Sequence, residues 1–193
     1  MSVVIAIKDK SKIWMGCDSQ MTLGHIKLKA DNKSFCKIWE IPNCHDGFMG
    51  SVGYYRDAQV IQCEEQLIDE VFQYKNLISY AYVVKVLVEK IYKTLAEKRC
   101  IDKDSNGNLA NTLRSCFIFA YKDQAYLIRE DLSVFPINDY LVCGCGDEIA
   151  IGVLENNKKK KPRDRIIEAI RAVAENDCYV DDNIVIACTN QKE

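Results

Sequence analysis

Hydrophobic positions recur along this chain with a period of two in some stretches and near 3.6 in others, and the two patterns alternate in blocks. Ser2 to Lys8 is a β-branched run and Lys12 to Cys17 a second, so the polar Asp9-Lys10-Ser11 between them predicts a hairpin opening the chain. A polar stretch from Gly24 to Asp31 leads to strands over Lys33 to Ile41 and Asp46 to Val52, turned at Pro42-Asn43. From Asp57 to Tyr74 the apolar residues Val60, Ile61, Leu67, Ile68, Val71 and Phe72 fall at helical spacing, and Val83 through Leu95 repeat the pattern. Asp102 to Asn108 reads as a loop, and Cys116 to Ala120 with Ala125 to Ile128 as a strand pair turned at Lys122-Asp123. Another strand ends in Gly144-Cys145-Gly146. Two helices follow, over Asp147 to Asn156 and from Pro162 onward, and Asn183 to Cys188 closes the chain as a strand. Strands, two helices, strands, two helices and a strand predict a four-layer α/β/β/α sandwich.

Composition narrows the class. A chain of 193 residues that is 48% hydrophobic and 28% charged suits one domain with a sizeable core, and no linker divides it. A net charge of -2 gives none of the basic excess that nucleic-acid surfaces need. No apolar run is long enough for a membrane helix and no secretory signal opens the chain, so the expectation is a cytoplasmic protein. The ten cysteines are scattered without a C-x-x-C pair, which gives zinc no frame and favours reduced thiols.

With only His25 and His45, a Ser-His-Asp hydrolase or a multi-histidine metal site is poorly supplied, and no phosphate-binding loop occurs. No cofactor is expected. The informative segment is the beginning, Met1-Ser2-Val-Val-Ile-Ala, followed by Gly16-Cys-Asp18-Ser-Gln-Met21-Thr-Leu-Gly24. If Met1 is removed, one residue carries a hydroxyl nucleophile and a free α-amine whose pKa of about 7.7–8.0 suits a general base. Taken as two terminal residues alone, Met1-Ser2 is simply the start of an edge strand.

The longer pattern resembles the proteasome β-subunit family, and especially its HslV branch, whose chains begin with a threonine or serine nucleophile and carry a similar D-x-Q-x-T-L-G segment. The resemblance continues through Phe48-Met-Gly50-Ser-Val52-Gly53, Asp57-Ala-Gln-Val60, Val142-Cys-Gly-Cys145-Gly146 and Glu175-Asn-Asp177. It implies the N-terminal-nucleophile hydrolase form of the sandwich and a β-type chain, since the extra helix of α-type subunits is missing. Position by position, it puts the nucleophile on Ser2, the amine-orienting aspartate on Asp18, the oxyanion glycine on Gly50 in a strand-to-helix turn, and the late aspartate on Asp177. Cys145 stands where the family often has a serine, and Met21, Phe48 and Val52 fall on pocket positions. The catalytic lysine aligns with Ser34 without a gap or Lys33 with one deletion; an alkoxide needs a cation, which favours Lys33, with Lys29 and Lys37 as lesser candidates.

The resemblance implies a peptidase acting on polypeptides inside a ring-shaped homo-oligomer, with an ATP-dependent unfoldase as partner and no metal. Activation without a propeptide would require methionine aminopeptidase. An inactive structural subunit and an N-terminal-nucleophile amidase on small amides are the alternatives.

Overall fold

A computed structural model describes residues 2–32, 35–68 and 78–190 of the chain. The opening run folds as expected: β1 (Val3–Asp9) and β2 (Lys12–Asp18) form an antiparallel hairpin, with Lys10 in the left-handed region at its turn. The stretch that reads as a polar connection contains a second hairpin, β3 (Gln20–Leu23) and β4 (Ile26–Lys29), which leaves Leu23 and Ile26 exposed. Short strands β5 (Asp31–Asn32) and β6 (Phe35–Cys36) pair next, and β7 (Ile38–Glu40) and β8 (Gly47–Val52) follow.

The expected helix from Asp57 to Tyr74 is shorter at this end. Helix α1 (Tyr55–Gln62) is closed at Cys63, and a turn carries Leu67 and Ile68 into the same apolar cluster as Val60 and Ile61. The apolar spacing is therefore met by a turn; Val71 and Phe72 lie outside the described residues. Helix α2 runs through Tyr80–Tyr82, a π-helical stretch Val83–Leu87 and Val88–Glu97. Then come β9 (Cys116–Tyr121), β10 (Gln124–Ile128), β11 (Val134–Pro136) and β12 (Tyr140–Gly144), of which β11 is too short to show a period. Helices α3 (Asp147–Asn156) and α4 (Pro162–Asn176) precede the last strand, β13 (Ile184–Cys188).

Two sheets result, one ordered β12-β1-β2-β13 and the other β11-β10-β9-β8-β7. Three apolar clusters fill the spaces between four layers. Val3, Ile5 and Ile7 of β1 face Ile166, Ile170 and Val173 of α4, whereas Val4 and Ala6 point the other way, toward Ile118 and Ala120 of the second sheet. Phe117 and Phe119 then face Val83, Leu87 and Ile91 of α2. Alternation along β1 and β9 thus serves a helix layer on one side and a sheet on the other. Each fully buried side chain of this kind contributes about 1.5–3 kcal/mol by leaving water. Burial on both faces makes the central strands rigid supports for what lies at their ends.

Candidate active site

The β1–β2 hairpin joins the start of the chain to Asp18. Its register opposes Val4 to Cys17, which brings the end of β2 beside Val3. Asp18 is fully buried; its Oδ1 accepts the Val3 N–H at 3.0 Å, and its Oδ2 accepts the Gln20 N–H at 3.1 Å and the Lys37 ammonium at 2.7 Å. The Lys37 side chain is only 3% exposed, so this ion pair lies out of water. Burial pushes the Asp18 carboxyl above its ordinary value, while the Lys37 charge and the Val3 N–H pull against that rise. Such a carboxylate depends on its partners, because an isolated buried charge is costly.

Ser2 is held from the other side by the end of β12. Its carbonyl oxygen accepts the Cys145 N–H at 3.0 Å and the Cys145 thiol at 3.6 Å. This approach is close enough that a Cβ at Gly144, whose φ is +123°, would overlap the Ser2 carbonyl. Asp177, at the C-terminal end of α4, hydrogen-bonds the Cys145 side chain and accepts the Tyr179 N–H at 2.9 Å. Burial first, and the Asp177 carboxylate second, push the Cys145 thiol up to about 11, so it stays protonated as a weak donor at neutral pH.

Two clefts meet at Ser2. The smaller is lined by Ser2, Phe35, Lys37, Val52, Gly53 and Tyr55, and Phe35 and Tyr55 pack with ring centroids 5.2 Å apart. The larger, about 410 Å³, runs from Ser2 and Val52 past Leu127, Arg129, Glu130 and Cys145. Val52 and Gly53 border both. An extended ligand crossing Ser2 would meet an aromatic and apolar side and a charged side.

Of the residues singled out in the sequence, Ser2, Asp18, Cys145 and Asp177 converge here, and Val52 lines the clefts. Lys33 lies outside the described residues; among the described residues the cation that meets Asp18 is Lys37, one of the lesser candidates. The signal for it was in the chain: Lys37 interrupts the apolar run Phe35-Cys-Lys-Ile-Trp39, where a charge needs a buried partner.

Gly50 does not occupy a strand-to-helix turn. It sits inside β8, opposite Ile38 and Ile118, and a side chain there would press on Val4 and Met15, so its smallness serves the joint between the two sheets. The turn glycine is Gly53, with φ +126°. Phe48 lines a separate cleft with Glu40, His45 and Cys188, away from Ser2: it shares a face of β8 with Val52 but lies four residues away, toward the other end of the strand. Met21 pairs with Leu28 in the β3–β4 hairpin and borders neither cleft at Ser2. Asp181 accepts both the N–H and the hydroxyl of Ser19, consistent with an end-capping role next to β13.

A second buried network, which the sequence did not expose, holds the Gly53 turn. Asp57 is fully buried in α1, paired with Arg114 and accepting the Ser115 hydroxyl at 2.8 Å, while that hydroxyl's oxygen accepts the Tyr54 N–H at 2.9 Å. Arg114 also lies over the Tyr54 ring, 4.6 Å from its centroid. Gly53 is pressed so closely against Ser115 that a Cβ would fall 2.6 Å from its hydroxyl oxygen. The wall of the clefts is thus tied to β9 through α1.

Among the described residues no helix is long and apolar enough to cross a membrane. No curated protein matches the chain. The fold is shared with eukaryotic HslV from Trypanosoma brucei, at 18% identity and a TM-score of 0.64 over 96% of this chain and 98% of that one. It is also shared with BPH from Thiobacillus denitrificans in complex with epoxomicin, at 15% identity and a TM-score of 0.72 over 99% and 100% of the two chains. The family model described as proteasome subunit matches residues 2–189, nearly the whole length. With its two sheets, its outer helix pairs and that match, the chain belongs to the proteasome subunit family.

Proposed function

We propose that this chain is an N-terminal serine peptidase in which Ser2, uncovered by removal of Met1, attacks peptide carbonyls inside a ring-shaped homo-oligomer. One observation carries the reading: a buried carboxylate, Asp18, ties the backbone next to Ser2 to a buried ammonium, Lys37, that lines the same cleft. A cation with no water around it is an expensive feature for a scaffold and a useful one beside a hydroxyl that must become an alkoxide.

In this mechanism the α-amine of Ser2 accepts the hydroxyl proton as Oγ attacks the carbonyl carbon. Lys37 favours the developing alkoxide by its charge, and Asp18 acts as a positioning residue that holds Lys37 and Val3 in place. The tetrahedral oxyanion forms at the Gly53 turn, whose backbone N–H takes the role that Gly50 cannot fill from inside a strand. The ammonium of Ser2 then protonates the leaving amine, Cys145 and Asp177 supporting that cationic form from the other side. Water hydrolyses the ester by the same steps. The aromatic and apolar side of the clefts, with Val52, Phe35 and Tyr55, suits an apolar residue before the cut bond. A cytoplasmic setting and an ATP-dependent unfoldase that feeds polypeptide to the ring complete the proposal.

Mass spectrometry of the mature protein tests the first requirement, a free Ser2. Epoxomicin, present in the Thiobacillus BPH structure, then serves as probe: a covalent adduct on Ser2, lost in Ser2→Ala, is expected. A processed, assembled ring that neither takes up the probe nor cleaves unfolded protein would reduce the chain to a structural subunit.

A further inference from the structure

Beside the Asp18–Lys37 pair lies a second pair that this chemistry does not use. Cys17 and Cys36 immediately precede Asp18 and Lys37 in the chain, whose charged heads meet at 2.7 Å. Cys17 is buried in the space between the sheets and Cys36 packs against the same cluster. Their side chains are hydrogen-bonded to each other. Cys36 is half-buried, and its other side opens on the cleft that holds Ser2 and Lys37.

We propose that Cys17 and Cys36 form a peroxide-oxidisable thiol pair at the floor of the Ser2 cleft, closing reversibly to a disulfide. The two thiols are unequal in the way such chemistry requires. The Cys17 S–H donates to the Cys36 sulfur, and with the backbone N–H groups of Ile38 and Lys37 it holds the Cys36 thiol down at about 7, against the opposing effect of burial. Cys17, as the donor in a buried place, is pushed well up. A thiolate open to the cleft thus sits next to a protonated resolving thiol. Cys116 and Cys143, also near each other, are both pushed up by burial and offer no thiolate.

The reaction balances with a hydroperoxide as the oxidant. The Cys36 thiolate attacks one peroxide oxygen, the O–O bond breaks, and the leaving alkoxide or hydroxide takes up, through solvent, the proton that Cys36 released on ionising. The Cys17 sulfur then attacks the Cys36 sulfenic acid, its S–O bond breaks, and the departing hydroxide combines with the Cys17 proton. Two thiols and one hydroperoxide give a disulfide, an alcohol or water, and one further water. Closing this bond pulls on the residues on either side, Asp18 and Lys37; the resulting effect on hydrolysis rests on the peptidase reading, whereas the disulfide itself does not.

The test treats the purified assembly with hydrogen peroxide and maps cysteine peptides without reduction. A Cys17–Cys36 cross-linked peptide, about 2 Da lighter than the two thiol peptides together, is expected before Cys116 or Cys143 changes, and dithiothreitol should reverse it. Cys17→Ala should divert Cys36 to a dimedone-trappable sulfenic acid, and Cys36→Ser should abolish the cross-link. With cleavage of a fluorogenic peptide measured relative to each protein's own reduced state, the wild type should lose at least tenfold on oxidation and regain it with dithiothreitol. Oxidation of the exposed Cys63 and Cys178 without a 17–36 cross-link overturns the proposal. A cross-link with unchanged hydrolysis keeps the thiol pair and removes its hold on Lys37; a cross-link in a protein that cleaves nothing even when reduced keeps the pair and removes the peptidase.

Discussion

Replacing Lys37 by methionine keeps the length of the side chain and removes the charge that Asp18 faces at 2.7 Å. Asp18 is then a fully buried carboxylate with, among the described residues, the Val3 and Gln20 N–H groups as its remaining donors. Taking one partner from a buried ion pair costs about 3–5 kcal/mol of stability at neutral pH. The penalty depends on pH, and its sign follows from the direction of the shift. Burial already holds the Asp18 carboxyl above its ordinary value and Lys37 pulls it down, so the variant's carboxyl rises further. An acid whose folded value is raised binds a proton in the folded state before it does so in the unfolded one, so stability recovers as pH falls. The recovery begins at the raised folded value, stops near the ordinary value of about 3.9, and cannot exceed about 1.4 kcal/mol per pH unit. Urea unfolding of Lys37→Met and wild type at fixed protomer concentration, from about pH 8 to pH 5, measures the difference. The double variant Asp18→Asn, Lys37→Met leaves no charge and should regain about 2 kcal/mol of the loss at pH 8. A Lys37→Met penalty below about 1 kcal/mol and flat across that range would refute the buried pair as described here.

Other perturbations probe the remaining parts. Gly144→Ala should displace Ser2 and abolish epoxomicin labelling, because the added Cβ overlaps the Ser2 carbonyl at a φ of +123°; a variant labelled as fast as wild type would show that Ser2 needs no such seat. Ser115→Ala removes the link between Asp57 and the Tyr54 N–H and should cost about 1–3 kcal/mol in thermal unfolding, with a lower cleavage rate from a loosened Gly53 turn. Alkylation of Cys36 by iodoacetamide should rise with pH about a midpoint near 7, followed by peptide mapping, and Cys17→Ala should move that midpoint upward since the donor to the thiolate is gone; a midpoint in the ordinary thiol range in the wild type would remove the Cys17 hydrogen bond.

Much of the fold was legible because its strands are buried on two faces or one and its helices on one, so period and layer agree. Val3 to Ile7, Cys116 to Ala120, Asp147 to Asn156 and Pro162 onward all state their element in their own side chains. The β3–β4 hairpin did not, since it packs on no layer and its Leu23 and Ile26 face water. The π-helical stretch Val83–Leu87 left no trace either, because its apolar positions satisfy an ordinary helix as well. At the candidate site, the structure brings together Ser2, Asp18, Cys145 and Asp177, each beside a strand or helix end that sequence blocks could locate. In the sequence Lys37 stood as a lesser candidate behind Lys33, and Gly53 in a motif without a role, in stretches whose register a short loop can slip. A one-residue error in a strand exchanges its two faces, and no composition rule detects that.

The position of Asp18 shows how near and distant parts of the chain meet at the site. The hydrogen-bond donors to its carboxylate come from residues 3, 20 and 37, all within the first fifth of the chain. The Ser2 carbonyl, by contrast, is held by residue 145, which reaches it only because β12 pairs with β1 across the whole length of the fold. The Gly53 turn is anchored by residues 57, 114 and 115 through the second sheet. A site assembled from one local hairpin and two distant braces has a nucleophile that is only as well placed as the contact between the two sheets. Gly50 lies at that contact, where a Cβ would fall 2.8 Å from Val4 and 3.0 Å from Met15. Gly50→Ala should therefore reduce labelling of Ser2 more than tenfold while the helices and their packing survive, readable as near-native far-ultraviolet circular dichroism beside a slow probe reaction. Equal labelling by wild type and Gly50→Ala would mean that the hairpin alone positions Ser2, and that the second sheet serves the substrate side only.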